Sequence, residues 1–217
     1  MLSVLCALVM SVQDTDVTLE PSDDVWVYQF AEDQTSDEFL RAWGCDDGAV
    51  GKSFEGSLNF SFSCLKFKPP MPLPNTKLKS AKLVLTHVPD AGWAVDSIDK
   101  HPLEARSMTG TWDEQSWAYE KAAKVHPLPE ANAVFGTGWA KPSGDKPFKI
   151  EIDLMKGPGN FEKTFQDAIN DPKAGLSIAL TTTLLPDGEN SVYKLYSKSN
   201  EADLRPKLVL GFGSGRP

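Results

Sequence analysis

The sequence is poor in the residue patterns that reactive chemistry uses. It holds three cysteines and three histidines in 217 residues. Neither C-x-x-C nor H-E-x-x-H occurs, so no zinc-site spacing is present. G-x-S-x-G and G-x-x-x-x-G-K-[ST] are also missing, which removes the nucleophile elbow and the phosphate-cradling loop. Carboxylates are plentiful, with 30 acidic residues, so neighbours such as Asp113 and Glu114 arise by chance and do not by themselves mark a hydrolytic pair. The chain reads as non-catalytic. Basic residues are fewer, 22 in all, for a net charge of −8 and no Lys/Arg cluster. That composition excludes nucleic acid, whose phosphates need a concentrated positive patch. Long hydrophobic runs are lacking as well. The longest, Leu2 to Val12, is too short to span a bilayer as a helix.

That run is uncharged, and Gln13, Asp14 and Asp16 end it abruptly. Its length suits the h-region of a signal peptide, so residues 1–12 read as a signal-peptide-like segment and the mature protein as secreted, with no membrane partner. The competing reading is a buried N-terminal strand. Removing the leader leaves Cys45 and Cys64. If residues 39–45 and 58–64 pair as an antiparallel hairpin, the two sulfurs face each other, and an exported protein with two cysteines so placed is expected to join them in a disulfide. Two buried free thiols are the alternative.

Proline- and glycine-rich breaks (KPPMPLPN, KPSGDKP, KGPGN, LPDGEN) divide the remainder into strand-like segments. Leu58, Phe60 and Phe62 alternate with Asn59, Ser61 and Ser63, and the phase slips at Cys64–Leu65, as a bulge would do. Ala81, Leu83 and Leu85 alternate, as do Phe148, Ile150, Ile152 and Leu154; then Leu176, Ile178 and Leu180; then Leu208, Leu210 and Phe212. One short helix is predicted: Asn160 caps it, Phe161, Phe165 and Ile169 recur at helical spacing, and Pro172 stops it. A weaker amphipathic stretch covers Ala118–Lys124. The pattern predicts an all-β, jelly-roll-like antiparallel β-sandwich with one short helix, as a single domain over residues 20–213.

Several segments, taken in order, resemble the DNRLRE domain, which overlaps with carbohydrate-binding module family 96. They are Leu58 to Pro72 (LNFSFSCLKFKPPMP), Lys79 to Leu85 (KSAKLVL), and Trp112, Glu114, Ser116 and Trp117 in TWDEQSW. Ile150 to Met155 (IEIDLM) and Ala174 to Leu180 (AGLSIAL) follow, then Tyr196-Ser197-Lys198 and Arg205-Pro206-Lys207-Leu208 in YSKSNEADLRPKLVL. Tyr196 stands where the family commonly has Phe, and Glu201 falls late. The resemblance implies an extracellular, non-enzymatic β-sandwich with polysaccharide as its partner. It also suggests structural roles for the motif residues, with Arg205 and Glu201 pairing near the start of the last strand.

A sugar ring offers C–H groups that stack on an aromatic face. Trp26, Trp43, Trp112 and Trp117 lie in strand-like or motif segments and read as core. Trp93 (DAGWAVD) and Trp139 (GTGWAKPSG) stand in glycine-bearing loops, so they are the expected ligand-binding residues, with Lys141 and the nearby Lys100 and Lys146 as donors. The competing reading makes both tryptophans plugs over an open sandwich end. No cofactor or metal is expected apart from a possible structural calcium, for which Asp23/Asp24, Asp46/Asp47 and Asp187-Gly188-Glu189-Asn190 offer oxygens. His87 and His101 would face each other if residues 81–88 and 101–107 formed a hairpin, a minor route to a copper or zinc site. The alternative function is a structural or adhesive surface protein that binds no sugar.

Overall fold

The computed structural model describes residues 15–28, 35–44, 60–71, 77–90, 101–117, 121, 124–128, 130–141, 144–182 and 191–213. They form an all-β antiparallel sandwich. Its strands are β1 (Thr15–Leu19), β2 (Asp23–Val27), β3 (Phe39–Gly44), β4 (Phe60–Phe67), β5 (Lys77–His87), β6 (Leu103–Arg106), β7 (Val134–Gly138), β8 (Phe148–Asp153), β9 (Leu176–Thr182), β10 (Ser191–Tyr196) and β11 (Lys207–Gly213). One layer holds β1, β11, β5, β8, β10 and β3; the other holds β2, β4, β9, β6 and β7. The layers join where Trp43 and Gly44 of β3 pair with Ser61 and Phe60 of β4.

Period-2 patterning sets the core. Leu83 has Leu208 on one side and Ile152 on the other, all three fully buried. Across the interlayer space they meet Leu65, Phe67, Leu103, Leu176, Ile178 and Leu180 from the second layer. Each such side chain contributes about 1.5–3 kcal/mol by leaving water. The predicted helix, α1 (Phe161–Asn170), forms between β8 and β9 with Asn160 Oδ1 accepting the Lys163 N–H at 2.9 Å. Its buried face places Phe161 edge-on to Phe135 at 5.3 Å and Phe165 near Phe212 at 6.2 Å.

Three sequence expectations change. β4 carries no bulge: its register with β2 and β9 runs without a shift. The apparent slip arises because both faces of β4 are covered. Leu65 and Phe67 point into the main core, whereas Phe62 and Cys64 point outward, beneath Trp112 and Val125. Ser61 and Ser63 are the inward ones, and both hydroxyls donate to the Arg41 carbonyl.

The second change concerns the disulfide. Cys64 is a free, fully buried thiol. The β3–β4 pairing is short, and at Cys64 the two lateral places beside β4 are taken by Val25 and Ala179. The register that brings residues 45 and 64 opposite each other is therefore not the one formed; Cys45 itself lies outside the described residues. Third, β5 and β6 make no hairpin. β5 pairs with β8, β10 and β11, while β6 pairs with β7 and β9 in the other layer.

Residues 1–12 and Asp46, Asp47 and Asp187–Asn190 lie outside the described residues, as does most of Ala118–Lys124. Among the described residues no helix is long and apolar enough to cross a membrane.

Candidate functional site

β3 reads Phe-Leu-Arg-Ala-Trp-Gly. Leu40 and Ala42 enter the core, which turns Phe39, Arg41 and Trp43 to the outer side, where all three are half-buried. β10 repeats the arrangement: Tyr193 and Leu195 are core, and Val192, Lys194 and Tyr196 face outward. The register sets Val192 across from Trp43, Lys194 across from Arg41, and Tyr196 across from Phe39. Directly opposed side chains of this kind interact strongly on a sheet face.

Two cations in opposed positions repel unless each finds its own partner. The Arg41 guanidinium lies over the Trp26 ring, 4.4 Å from its centroid, and pairs with Asp37. The Lys194 ammonium lies 4.3 Å from the centroid of Phe39. Both are cation–π contacts. Trp26 donates its indole N–H to Asp37 at 3.0 Å, so one carboxylate fixes a ring and a cation together. Aromatic contacts extend the array at both ends. Phe39 and Tyr196 are 5.5 Å apart; Trp43 meets Tyr28 edge-on at 4.9 Å and Trp26 at 5.7 Å. The result is a belt of Tyr196, Phe39, Lys194, Arg41, Trp26, Trp43 and Tyr28.

The same outer face continues onto β5, β8 and β11. Lys149 donates to Thr86 Oγ1 at 2.6 Å and to the Asp203 carbonyl. Partial burial, and then the charge of Lys207, lower its affinity for a proton. This face therefore carries Arg41, Lys194, Lys149 and Lys207 on a molecule whose net charge is −8. The half-exposed rings of Phe39, Trp43, Tyr196 and Tyr28, backed by the buried Trp26 and with ammonium and guanidinium donors between them, suit a ligand with both C–H faces and oxygen acceptors. By contrast, the groove of about 270 Å³ between α1 and Met108–Gly110 is lined by no aromatic residue.

Trp139 follows β7 directly and is 43% exposed, one of the few large apolar side chains in water among the described residues. Lys141 is also exposed, and the buried Ala140 separates them, so the two share the solvent side; Lys146 is exposed nearby. Trp93 and Lys100 lie outside the described residues. β4, β9 and β6 stand between β3 and β7 in the sheet order, so Trp139 is not part of the belt. Trp26 and Trp112 are buried as expected, but Trp43 and Trp117 are half-buried. The alternation of Phe39, Arg41 and Trp43 is the local signal for the β3 half of the belt, whereas the glycine-bearing segments DAGWAVD and GTGWAKPSG mark Trp93 and Trp139.

The remaining candidates have structural partners. His87 is buried, stacked on Phe148 at 4.8 Å, and its Nε2 accepts the Lys194 N–H at 3.2 Å. Its Nδ1 must then carry the proton, which it donates to the Val88 carbonyl at 2.6 Å. Desolvation by burial lowers His87 from the ordinary imidazole value. His101 lends its carbonyl to the Tyr193 hydroxyl at 2.6 Å. Asp23 and Asp24 are engaged by Ser22, Glu114 and Lys198. No group of three or more metal-ligating side chains occurs among the described residues. Arg205 bonds Glu20 at 3.0 Å and the Asn200 carbonyl, rather than Glu201. No protein-family model matches this chain, and no curated protein matches it.

Proposed function

We propose that the protein is an exported, non-catalytic sandwich of the DNRLRE and carbohydrate-binding module 96 type that binds an extracellular polysaccharide along the β3–β10 belt. The observation that carries this reading is the cross-strand ladder itself. Aromatic residues at its two ends are spaced by two opposed cations, on a face that presents further ammonium groups. Pyranose C–H faces stack on Trp43, Tyr196 and Phe39, while Arg41 and Lys194 donate to hydroxyl or uronate oxygens. Trp139 and Lys141 form a separate, smaller contact at the end of the sandwich.

A second reading is a structural or adhesive β-sandwich. It is favoured by β1, a largely exposed strand that ends the sheet order and, among the described strands, pairs with β11 alone. A glycan array with the mature protein, repeated with a chelator, separates the two. Retention by one polysaccharide class, indifferent to chelation, supports the binding module. No retention together with self-association on a sizing column supports the structural protein.

A further inference from the structure

Beside the belt, two residues from Trp26 on β2 and two residues past Tyr196, lies a charged cluster that the belt does not use. Asp24 on β2 is 4% exposed, and its Oδ2 accepts the backbone N–H of Lys198 at 2.7 Å. The Asp24 N–H donates to Glu114 Oε2 at 3.0 Å, and the Lys198 ammonium reaches the same oxygen at 2.9 Å. The Glu114 N–H closes the ring by donating to Asp23 Oδ1 at 3.2 Å, while Ser22 Oγ holds the other Asp23 oxygen at 2.7 Å. Glu114 thus pairs with the Lys198 ammonium, Asp24 takes the Lys198 N–H, and Asp23 stands across from Lys66 in the β2–β4 register. The nearest cation on β4, Lys66, is buried and donates to the Trp112 carbonyl. Asp113, the other acid of this segment, is exposed and held by Ser116.

The segment that carries Glu114 also carries Trp112 and Trp117. Together with Val125 they cover the outer face of the second layer, over Val25, Val27, Phe62 and Cys64. We propose that the Asp24–Glu114–Lys198 cluster is a pH-operated latch: with Asp24 protonated it fastens residues 107–117 to β2, and with Asp24 ionised it loosens them and opens the path to Cys64.

The electrostatics run in that direction. Ionising the buried Asp24 adds a second negative charge beside Glu114, and the Lys198 ammonium is already paired with Glu114. Desolvation by burial, reinforced by Glu114 and Asp23 and opposed by the N–H and charge of Lys198, raises Asp24 to about 7. The latch is therefore closed in mild acid and released as pH rises through neutrality.

Cys64 reports the state of the latch. In a chain with Cys6→Ser and Cys45→Ser, the rate of alkylation by iodoacetamide is measured from pH 6 to 8.5 and divided by the rate in the urea-unfolded chain. That ratio removes the thiol's own ionisation. It is expected to rise about tenfold through neutral pH, and to stay flat when Asp24→Asn is added. A flat ratio with Asp24 intact, or an equal rise in Asp24→Asn, overturns the latch. If Asp24→Asn does not fold, hydrogen exchange on the native chain decides. Protection of residues 107–117, corrected for intrinsic rates, falls between pH 6 and 8 while β5 and β8 hold; unchanged protection of 107–117 contradicts the proposal.

Discussion

Tyr196 stands directly across the β3–β10 ladder from Phe39, with ring centroids 5.5 Å apart and planes inclined by 47°. The two rings are 157 positions apart in sequence, and only the antiparallel register brings them together. Lys194, one step along β10 on the same outer face, lies over the Phe39 ring. The pairing therefore builds the lower end of the belt and positions a cation at once.

Inside the sandwich, behind the belt, a buried hydrogen bond supports β10. Tyr193 is fully buried and donates to the His101 carbonyl, which ties β10 to the start of β6 in the other layer. Tyr193→Phe leaves that acceptor without this donor and is expected to cost about 1–3 kcal/mol. Chemical denaturation measures it. An unchanged midpoint would show that the tie contributes nothing.

Two buried groups give stability opposite pH slopes. Asp24 has its folded value raised from 3.8 to about 7, so the native state binds its proton more tightly than the unfolded chain. Its contribution is complete below pH 4 and is lost as pH climbs to about 7, at most about 4 kcal/mol. His87 is lowered instead, so its contribution is complete above about pH 6.5 and is lost as pH falls below that value. Subtracting the Asp24→Asn stability from that of the native protein at each pH cancels the histidine. The difference should decline steadily from pH 4 to 7. A difference independent of pH would refute the assignment.

Cys64 should resist labelling in the native protein at pH 6 and react fully in denaturant. It is buried, and desolvation raises its thiol far above the ordinary range. Mass analysis after alkylation under denaturing, non-reducing conditions should place the label on Cys64. An unlabelled Cys64 that appears only after reduction would restore the disulfide.

Gly157 is where the turn after β8 crosses β7. Its N–H donates to the Phe135 carbonyl at 2.6 Å, and a Cβ would sit 2.3 Å from the Val134 oxygen. Backbone cannot give way as a flexible side chain can. Gly157→Ala should destabilise by more than about 2 kcal/mol, read as a fall in Tm of several degrees. A variant as stable as the parent would mean that the corner is slack.

Much of the fold was legible because single-faced strands announce themselves. Phe148, Ile150 and Ile152 point inward, and Lys149 and Glu151 outward, as their alternation implies. Asn160, Phe161 and Phe165 likewise mark the helix. β4 misled for a physical reason. The Trp112 segment covers its outer face, so Phe62 and Cys64 are buried on the side the simple pattern assigns to water. The disulfide expectation failed with it, since β4 exchanges β3 for β2 along one edge before reaching Cys64. The belt is not legible from local pattern because each half of it is an ordinary alternation. Its meaning lies in the pairing of Phe39, Arg41 and Trp43 with Tyr196, Lys194 and Val192, which no local pattern reveals.

Affinity electrophoresis through gels containing the polysaccharide selected on the array tests the central claim most directly. It compares the parent chain with Trp43→Ala, Tyr196→Ala and Trp139→Ala, each first shown by circular dichroism to be folded at the working temperature. Stacking worth about 0.5–1.5 kcal/mol per ring predicts that Trp43→Ala and Tyr196→Ala each lose several-fold in retention, while Trp139→Ala loses less. If Trp43→Ala and Tyr196→Ala are retarded as strongly as the parent, the β3–β10 belt is not the binding surface.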